Sequence, residues 1–361
     1  MTESTDNRPA KPPHRRALRE AFSIQLVLLA AALLLAVVVS SRLGYLTVGF
    51  TDVLRIIAAK LTGQAALTAE MDALLPVVVL EVRLPRILCA AIVGAGLAIS
   101  GTVFQGILLN PLADPYTLGV SAGAAFGASV AILLNLGFLG FYSVPLFAFI
   151  GAAATLFFVI ILSSSGEGLS SNNLILSGIV VAAILSAGIS FLKYLADEHV
   201  SVIIFWLMGS FASRTWADVA LTAVAIGTGF LVMLFYARDL NLISLGNRTA
   251  SSMGVDTARV MMMLLITASV IAAVCVSVSG IIGFVGLLVP HMVRLITGPD
   301  NRRLLPASLL TGAILLLGAD TVTRAVLPTE IPIGVLTALI GGPVFCYIFW
   351  RRQKMLRGDA S

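Results

Sequence analysis

Apolar runs long enough to cross a bilayer recur from one end of this chain to the other, and that recurrence decides its solvent. About 20 residues at 1.5 Å each span the hydrocarbon, so runs of about 18 or more read as transmembrane helices. Ten are legible, at roughly 23–41, 87–109, 116–135, 144–164, 174–195, 218–236, 260–279, 281–297, 305–326 and 333–350. Charged residues make up 11% of the 361, against roughly 25% in a soluble domain. A soluble protein with a very large core would need a polar face on each helix, and these runs mostly lack one. The expected class is an all-α integral membrane protein with one membrane domain over 21–352. Residues 198–212 form an apolar segment too short to span, and 42–82 is the longest non-spanning piece.

Lys and Arg set the orientation. With the N-terminus in the cytoplasm, 15 of the 23 basic residues fall on inside loops and tails and 8 outside. An even number of spans with both ends inside follows, with cytoplasmic tails at 1–20 and 353–361. The first apolar run has no small-residue cleavage site after it, so it is expected to stay as a span. The formal charge of +5 is ordinary for such a protein. The basic–aromatic interleaving of single-strand nucleic-acid binders is absent.

Few residues could do chemistry. There is no G-x-x-x-x-G-K-[ST], so the chain should not bind ATP itself. No H-E-x-x-H or G-x-S-x-G occurs. Cys89, Cys275 and Cys346 sit in distant apolar runs and read as packing residues. His14, His199 and His291 are too scattered for a metal cage. Asp320 lies four residues before Arg324, so the two share a helical face and can pair. A lone carboxylate there would instead suggest a proton relay. Gln105 and His291 lie within spans, where polar contacts between helices account for them. Gly119, Gly123 and Gly127 recur every fourth residue, as do Gly94 and Ala98. Such stripes let backbones approach closely, within one subunit or across a dimer seam.

Two polar features stand out. "RLPR" (83–86) opens the second span on the outer face, either as arginines snorkelling to the headgroups or as a basic docking point for an acidic partner. "RDLNLISLGNRTASSMGV" (238–255) is a long polar stretch between two spans, where a tight turn would suffice.

Three blocks, 83–127, 283–306 and 327–352, resemble the FecCD-type permeases. These are the membrane subunits of ABC importers for ferric siderophores, haem and cobalamin. The resemblance covers roughly residues 20–352. It implies ten-helix protomers of the type II importer fold, paired as a homodimer or with a related subunit, in a bacterial inner membrane. A pair of ATPase subunits, which bind ATP and Mg, would dock on the cytoplasmic face, and a periplasmic binding protein outside. No cofactor is expected in this chain. Residues 1–20 lie outside the resemblance and read as a disordered tail.

The resemblance also assigns residues. The stretch 238–255 matches the loop that makes the coupling helices. In it Arg238, Asp239, Leu240, Asn241, Leu242, Leu245, Gly246, Arg248, Ser251 and Gly254 are expected to engage the ATPase. Arg83, Arg86 and Arg324 match basic positions that pair with acids of the binding protein. Asn110 and Leu112, with Ser171 and Asn172, match the cytoplasmic gate, with helix capping as the competing explanation for the Asn and Ser residues. Ser177, Ser186 and Ser190 are weaker candidates for lining the pathway. The expected mechanism is alternating access, with no chemistry in this subunit. The competing class is an ion-coupled secondary transporter using Asp320, for which inverted repeats and broken helices would be expected.

Overall fold

The computed structural model describes residues 13–44, 48–64, 71–165, 168–325 and 330–358. Arg8 and Lys11 of the expected tail, and residues 359–361, lie outside them.

The organising element is α3, Leu74–Ile107, a 34-residue helix that is 89% buried over its most apolar stretch. It starts well before the expected boundary at 87, and "RLPR" lies inside it rather than at its mouth. The reason is local. Pro85 has no N–H to give the Glu81 carbonyl and its ring crowds that oxygen, which would break an ordinary helix. The chain instead winds as a π-helix over Val78–Arg83 and continues, the wider turn accommodating the lost bond.

Glycines let four helices close on α3. These are α8 (Trp216–Phe235), α11 (Thr257–Ser279), α12 (Val285–Thr297) and α13 (Asn301–Ala325). A Cβ on Gly94 would overlap the Gly312 carbonyl oxygen of α13, and one on Gly312 would overlap that of Gly94. A Cβ on Gly101 would overlap the Gly286 oxygen of α12. On another face, a Cβ on Gly96 would sit 2.6 Å from Ile226 Cδ1 and 2.8 Å from Cys275 Sγ. Backbone-to-backbone contact of this kind gives dispersion attraction where lipid offers no hydrophobic drive.

A second group packs beside it: α4 (Val120–Leu133), α5 (Ser143–Ser163) and α6 (Ser171–Leu195). The Gly123 and Gly127 stripe faces α5, where added Cβ atoms would strike the Gly151 and Phe147 oxygens. That stripe serves packing within the chain. The other helices are α1 (Pro13–Arg42), α2 (Phe50–Thr62), α7 (Val200–Leu207), α9 (Ala237–Ile243), α10 (Asn247–Ser252) and α14 (Ile333–Gly358). A two-residue antiparallel pairing, Ser164–Ser165 with Gly168–Leu169, is the one β element among the described residues.

Seven helices among the described residues are long and apolar enough to span, and three shorter apolar ones, Val120–Leu133, Val285–Thr297 and Ile333–Ile348, fall at the remaining expected spans. The segment expected at 198–212 is α7. Two expectations are corrected. The stretch 42–82 is not wholly outside the spans: besides α2, whose Val53 and Ile56 are buried, it holds the first turns of α3. Helix α1 begins at Pro13, inside the expected disordered tail. Helix α14 runs on through 353–358, the residues expected as the other tail.

Candidate functional site

The polar stretch 238–255 folds as two short helices, α9 and α10, with sharp exits. Gly246 (φ 108°) and Gly254 (φ 89°) take backbone angles that other residues adopt only with strain. Leu240 and Ile243 are fully buried, and Leu240 seats on Gly106 of α3, where a Cβ would come within 2.8 Å of its Cδ1. The apolar side anticipated for Leu240, Leu242, Ile243 and Leu245 is therefore divided, because Leu245 points outward at 67% exposure. With it on the surface stand Arg238, Arg248, Ser251, Met253 and Gly254. Asp239 and Leu242 are half-buried. Asn241 turns inward, and its carboxamide is bonded to Asp300 and Asn301 at the start of α13.

Beside this segment lies a cavity of about 920 Å³, lined among others by Gln105, Asn110, Leu245, His291, Arg294 and Tyr347. Asn110, expected at the gate, and Leu245, expected in the coupling segment, are far apart in sequence yet line the same cavity. His291 and Gln105 line it too, while Gln105 Nε2 donates to the Leu287 oxygen (3.1 Å) and the His291 ring meets the Phe345 edge. Asn110 Oδ1 accepts from the Leu112 amide (2.9 Å), closing a local turn that leaves Leu112 exposed. Ser171 Oγ reaches across to the Ile107 oxygen at the end of α3 (3.2 Å). The second expected gate segment is therefore tied to the end of the helix that leads into the first, and Ser171 works as a tie between helices rather than as a cap. Asn172 is exposed. Ser177 is half-buried, and Ser186 and Ser190 are exposed. The Ser190 hydroxyl donates to the Ser186 oxygen of its own helix.

At the opposite end of α3 and α13 the three arginines converge. They are not the exposed groups anticipated: Arg83, Arg86 and Arg324 are 6%, 8% and 5% exposed. Helix α1 ends with carbonyls that have no intrahelical partner. Arg83 Nη1 donates to the Ser41 oxygen (2.7 Å), and Arg324 donates to the Ser40 (2.8 Å) and Leu43 (2.7 Å) oxygens. Two cations thus close a helix C-terminus, where the dipole favours positive charge. Arg86 forks onto Asp320, with Nε and Nη2 at 3.0 and 2.9 Å from Oδ1, and its Nη1 holds Glu330 Oε1 at 2.9 Å. Arg324 Nε lies 3.3 Å from Asp320 Oδ2, an ion pair at the expected i,i+4 spacing. Its N–H is not aimed along that line, so no hydrogen bond forms there. Asp320, 1% exposed, is a structural anion between two guanidinium groups.

The FecCD transport family matches residues 31–351. The chain belongs to this family. Its FecCD-family relatives include the cobalamin import system permease protein BtuC of Halobacterium salinarum, 45% identical over 77% of this chain and 74% of the relative. The hemin transport system permease protein HmuU of Yersinia pestis is 39% identical over 77% of this chain and 85% of its own length. A solved structure of an inward-facing, metal-chelate type ABC transporter superposes with a TM-score of 0.79 at 34% identity, over 90% of this chain and 98% of that one. This FecCD-family chain is thus a multi-pass membrane permease of the ABC-importer class, with the type II importer fold. The sequence reading missed Glu330, Asp300 and Asn301, each of which acts through a partner far along the chain, and Arg294, which lines the cavity; no local pattern marks them.

Proposed function

We propose that this chain is the permease subunit of an ATP-driven importer in the bacterial inner membrane, with a metal chelate, specifically a ferric siderophore, as cargo. Two copies would form the conduit, a pair of ATPase subunits binding ATP and Mg would supply the energy, and a periplasmic binding protein would deliver the cargo. The observation that carries this reading is the coupling segment. A tight turn would join α8 to α11, yet the chain builds two short helices, buries Leu240 and Ile243 as a foot, and presents Leu245 and Met253 beside Arg238 and Arg248. Exposed apolar side chains rimmed by charge mark a docking surface, and a rigid short helix transmits motion that a loose loop absorbs. The cavity beside it is the inner exit in this reading.

The Fe(3+)-citrate import system permease protein YfmE of Bacillus subtilis, 39% identical over 75% of this chain and 81% of its own, stands beside the cobalamin and hemin permeases; together they support a metal chelate as cargo, and the siderophore is the choice this reading makes among them. The test is uptake in proteoliposomes holding the permease, its P-loop ATPase and the binding protein. Uptake of labelled ferric siderophore should require ATP and the ATPase's catalytic glutamate. Uptake driven by an ion gradient without ATP would overturn the class. Uptake of haem, cobalamin or molybdate in place of the siderophore would overturn the cargo.

In this reading the binding protein docks at the arginine end. Glu330, whose side chain is 33% exposed, covers Arg86 from the solvent side, so a partner's carboxylate reaches Arg86 by displacing it. Glu330→Gln should strengthen docking by roughly 2- to 5-fold, the scale of a partly exposed ion pair. The gain should shrink in high salt. Binding-protein affinity by surface resonance at two salt concentrations checks this, and weaker docking would remove Glu330 from the surface.

A further inference from the structure

Asn241 sits near the start of the coupling segment, within α9, but faces the protein, not the surface where a partner would bind. Its carboxamide is spent entirely on residues some sixty positions later. Nδ2 donates to Asp300 Oδ1 (2.7 Å), and Oδ1 accepts from both the backbone N–H and the side-chain Nδ2 of Asn301 (2.8 Å each). Asp300 in turn organises the start of α13. Its Oδ1 accepts the Arg302 amide (3.0 Å), and its backbone oxygen accepts the Arg303 and Leu304 amides (2.9 Å each). One amide plane therefore fuses α9 to the first turn of α13.

What α13 touches gives the joint its reach. It lies backbone to backbone on α3 at Gly312 and Gly94. At its far end Asp320 is gripped by Arg86, and Arg324 holds the end of α1. Covalent connection carries movement of α9 and α10 only into α8 and α11. Leu240 rests on α3, and Asn241 adds a directional, hydrogen-bonded route into a different helix, one that runs the length of the bundle and ends in the arginine cluster. The bonds are directional: a donor and an acceptor on one rigid group meet an acceptor and two donors. The helix start cannot slide or rotate against α9 without breaking them.

We infer that Asn241, with Asp300 and Asn301, is the joint that carries movement of the coupling segment into α13 and so to the opposite end of the permease. Asn241 is then a positioning residue inside the machine rather than a contact with the ATPase. The inference rests on the coupling role proposed above.

The donor and acceptor pattern supplies the test. Asn241→Asp keeps the acceptor, loses the donor and sets a carboxylate against Asp300. Asp300→Asn alone keeps an acceptor for Asn241, and Asn caps a helix as well as Asp does. The double variant exchanges the roles, with Asn at 300 donating to Asp at 241. In proteoliposomes of the full transporter, Asn241→Asp should lower cargo moved per ATP hydrolysed about tenfold while hydrolysis stays within about twofold, the scale of a typical coupling free energy. Asp300→Asn should match the wild type, and Asn241→Asp/Asp300→Asn should recover the wild-type ratio. Asn241→Ser, which breaks the bonds without adding charge, should behave like Asn241→Asp.

An independent reading uses the permease alone. Amide exchange at Arg303 and Leu304 should quicken in Asn241→Asp and return to normal in the double variant. Transport and hydrolysis falling in proportion, failure of both single variants at 241 to assemble, an unrescued double variant, or unchanged amide exchange would each overturn the joint. Absence of ATP-driven uptake in the wild type would instead strike the functional reading, with the exchange experiment still deciding the joint.

Discussion

Arg86→Glu should cost the protein its fold, not one docking contact. The new carboxylate would lie beside Asp320, which is 1% exposed, and against Glu330, with Arg324 as the nearest remaining cation. Removing one partner of a buried ion pair costs about 3–5 kcal/mol, and reversing its sign adds repulsion to that loss. A whole domain is stable by only about 5–15 kcal/mol. The expected result is a collapse in the yield of monodisperse protein and a clear drop in the unfolding temperature of what remains. Arg86→Gln should be milder, because Asp320 keeps Arg324. Thermal unfolding of the purified permease decides it, and a wild-type melting curve for Arg86→Glu would show that the cluster contributes nothing to stability.

The second large effect is at the α3–α12 contact. Gly101→Val places a branched side chain where the Gly286 carbonyl oxygen already stands. Overpacking a core costs about 1–3 kcal/mol when side chains can yield. Here the obstacle is backbone, at the start of a helix entered through Phe284 in the left-handed conformation (φ 68°), so the loss should exceed that range. Gly318→Ala is the control. It is also helical, but a Cβ there meets nothing within 4 Å, and Ala should stabilise the helix by up to about 1 kcal/mol. Equal melting temperatures for the two variants would contradict the packing described around α3.

Much of this architecture was legible in the sequence because lipid simplifies the rules. The ten apolar runs mark every long helix of the bundle, since a chain in hydrocarbon must satisfy its backbone within each segment. Asp320 and Arg324 could be paired from spacing alone, because four residues make one helical turn. Their tie to Arg86 could not, since 234 positions separate Arg86 from Asp320 and only packing brings them together. The same distance effect hid Glu330 and the Asn241–Asp300 bond. The arginines were read as surface groups because a charge at a span's edge usually snorkels to water. The structure shows the other outlet, the open carbonyls at the end of α1. Helix α3 was started late for a related reason. Pro85 reads as a helix start, and nothing in the sequence announces that a π-turn will carry the helix through it. The stretch 238–255 could be read as a folded element rather than a turn, and it is two short helices, but which of its residues face out depends on where Gly106 and α13 lie.

The central claim is that the surface around Leu245 is gripped by a separate ATPase on the inner side of the membrane. Of the native cysteines, Cys89 and Cys275 are buried and Cys346 is exposed, so Leu245→Cys in a Cys346→Ser background offers one reactive thiol on that surface. In the assembled transporter a short bifunctional reagent should link it to the ATPase subunit, and a membrane-impermeant maleimide added outside sealed vesicles of native orientation should leave it unlabelled. Labelling from outside, with no link to the ATPase, would contradict the account.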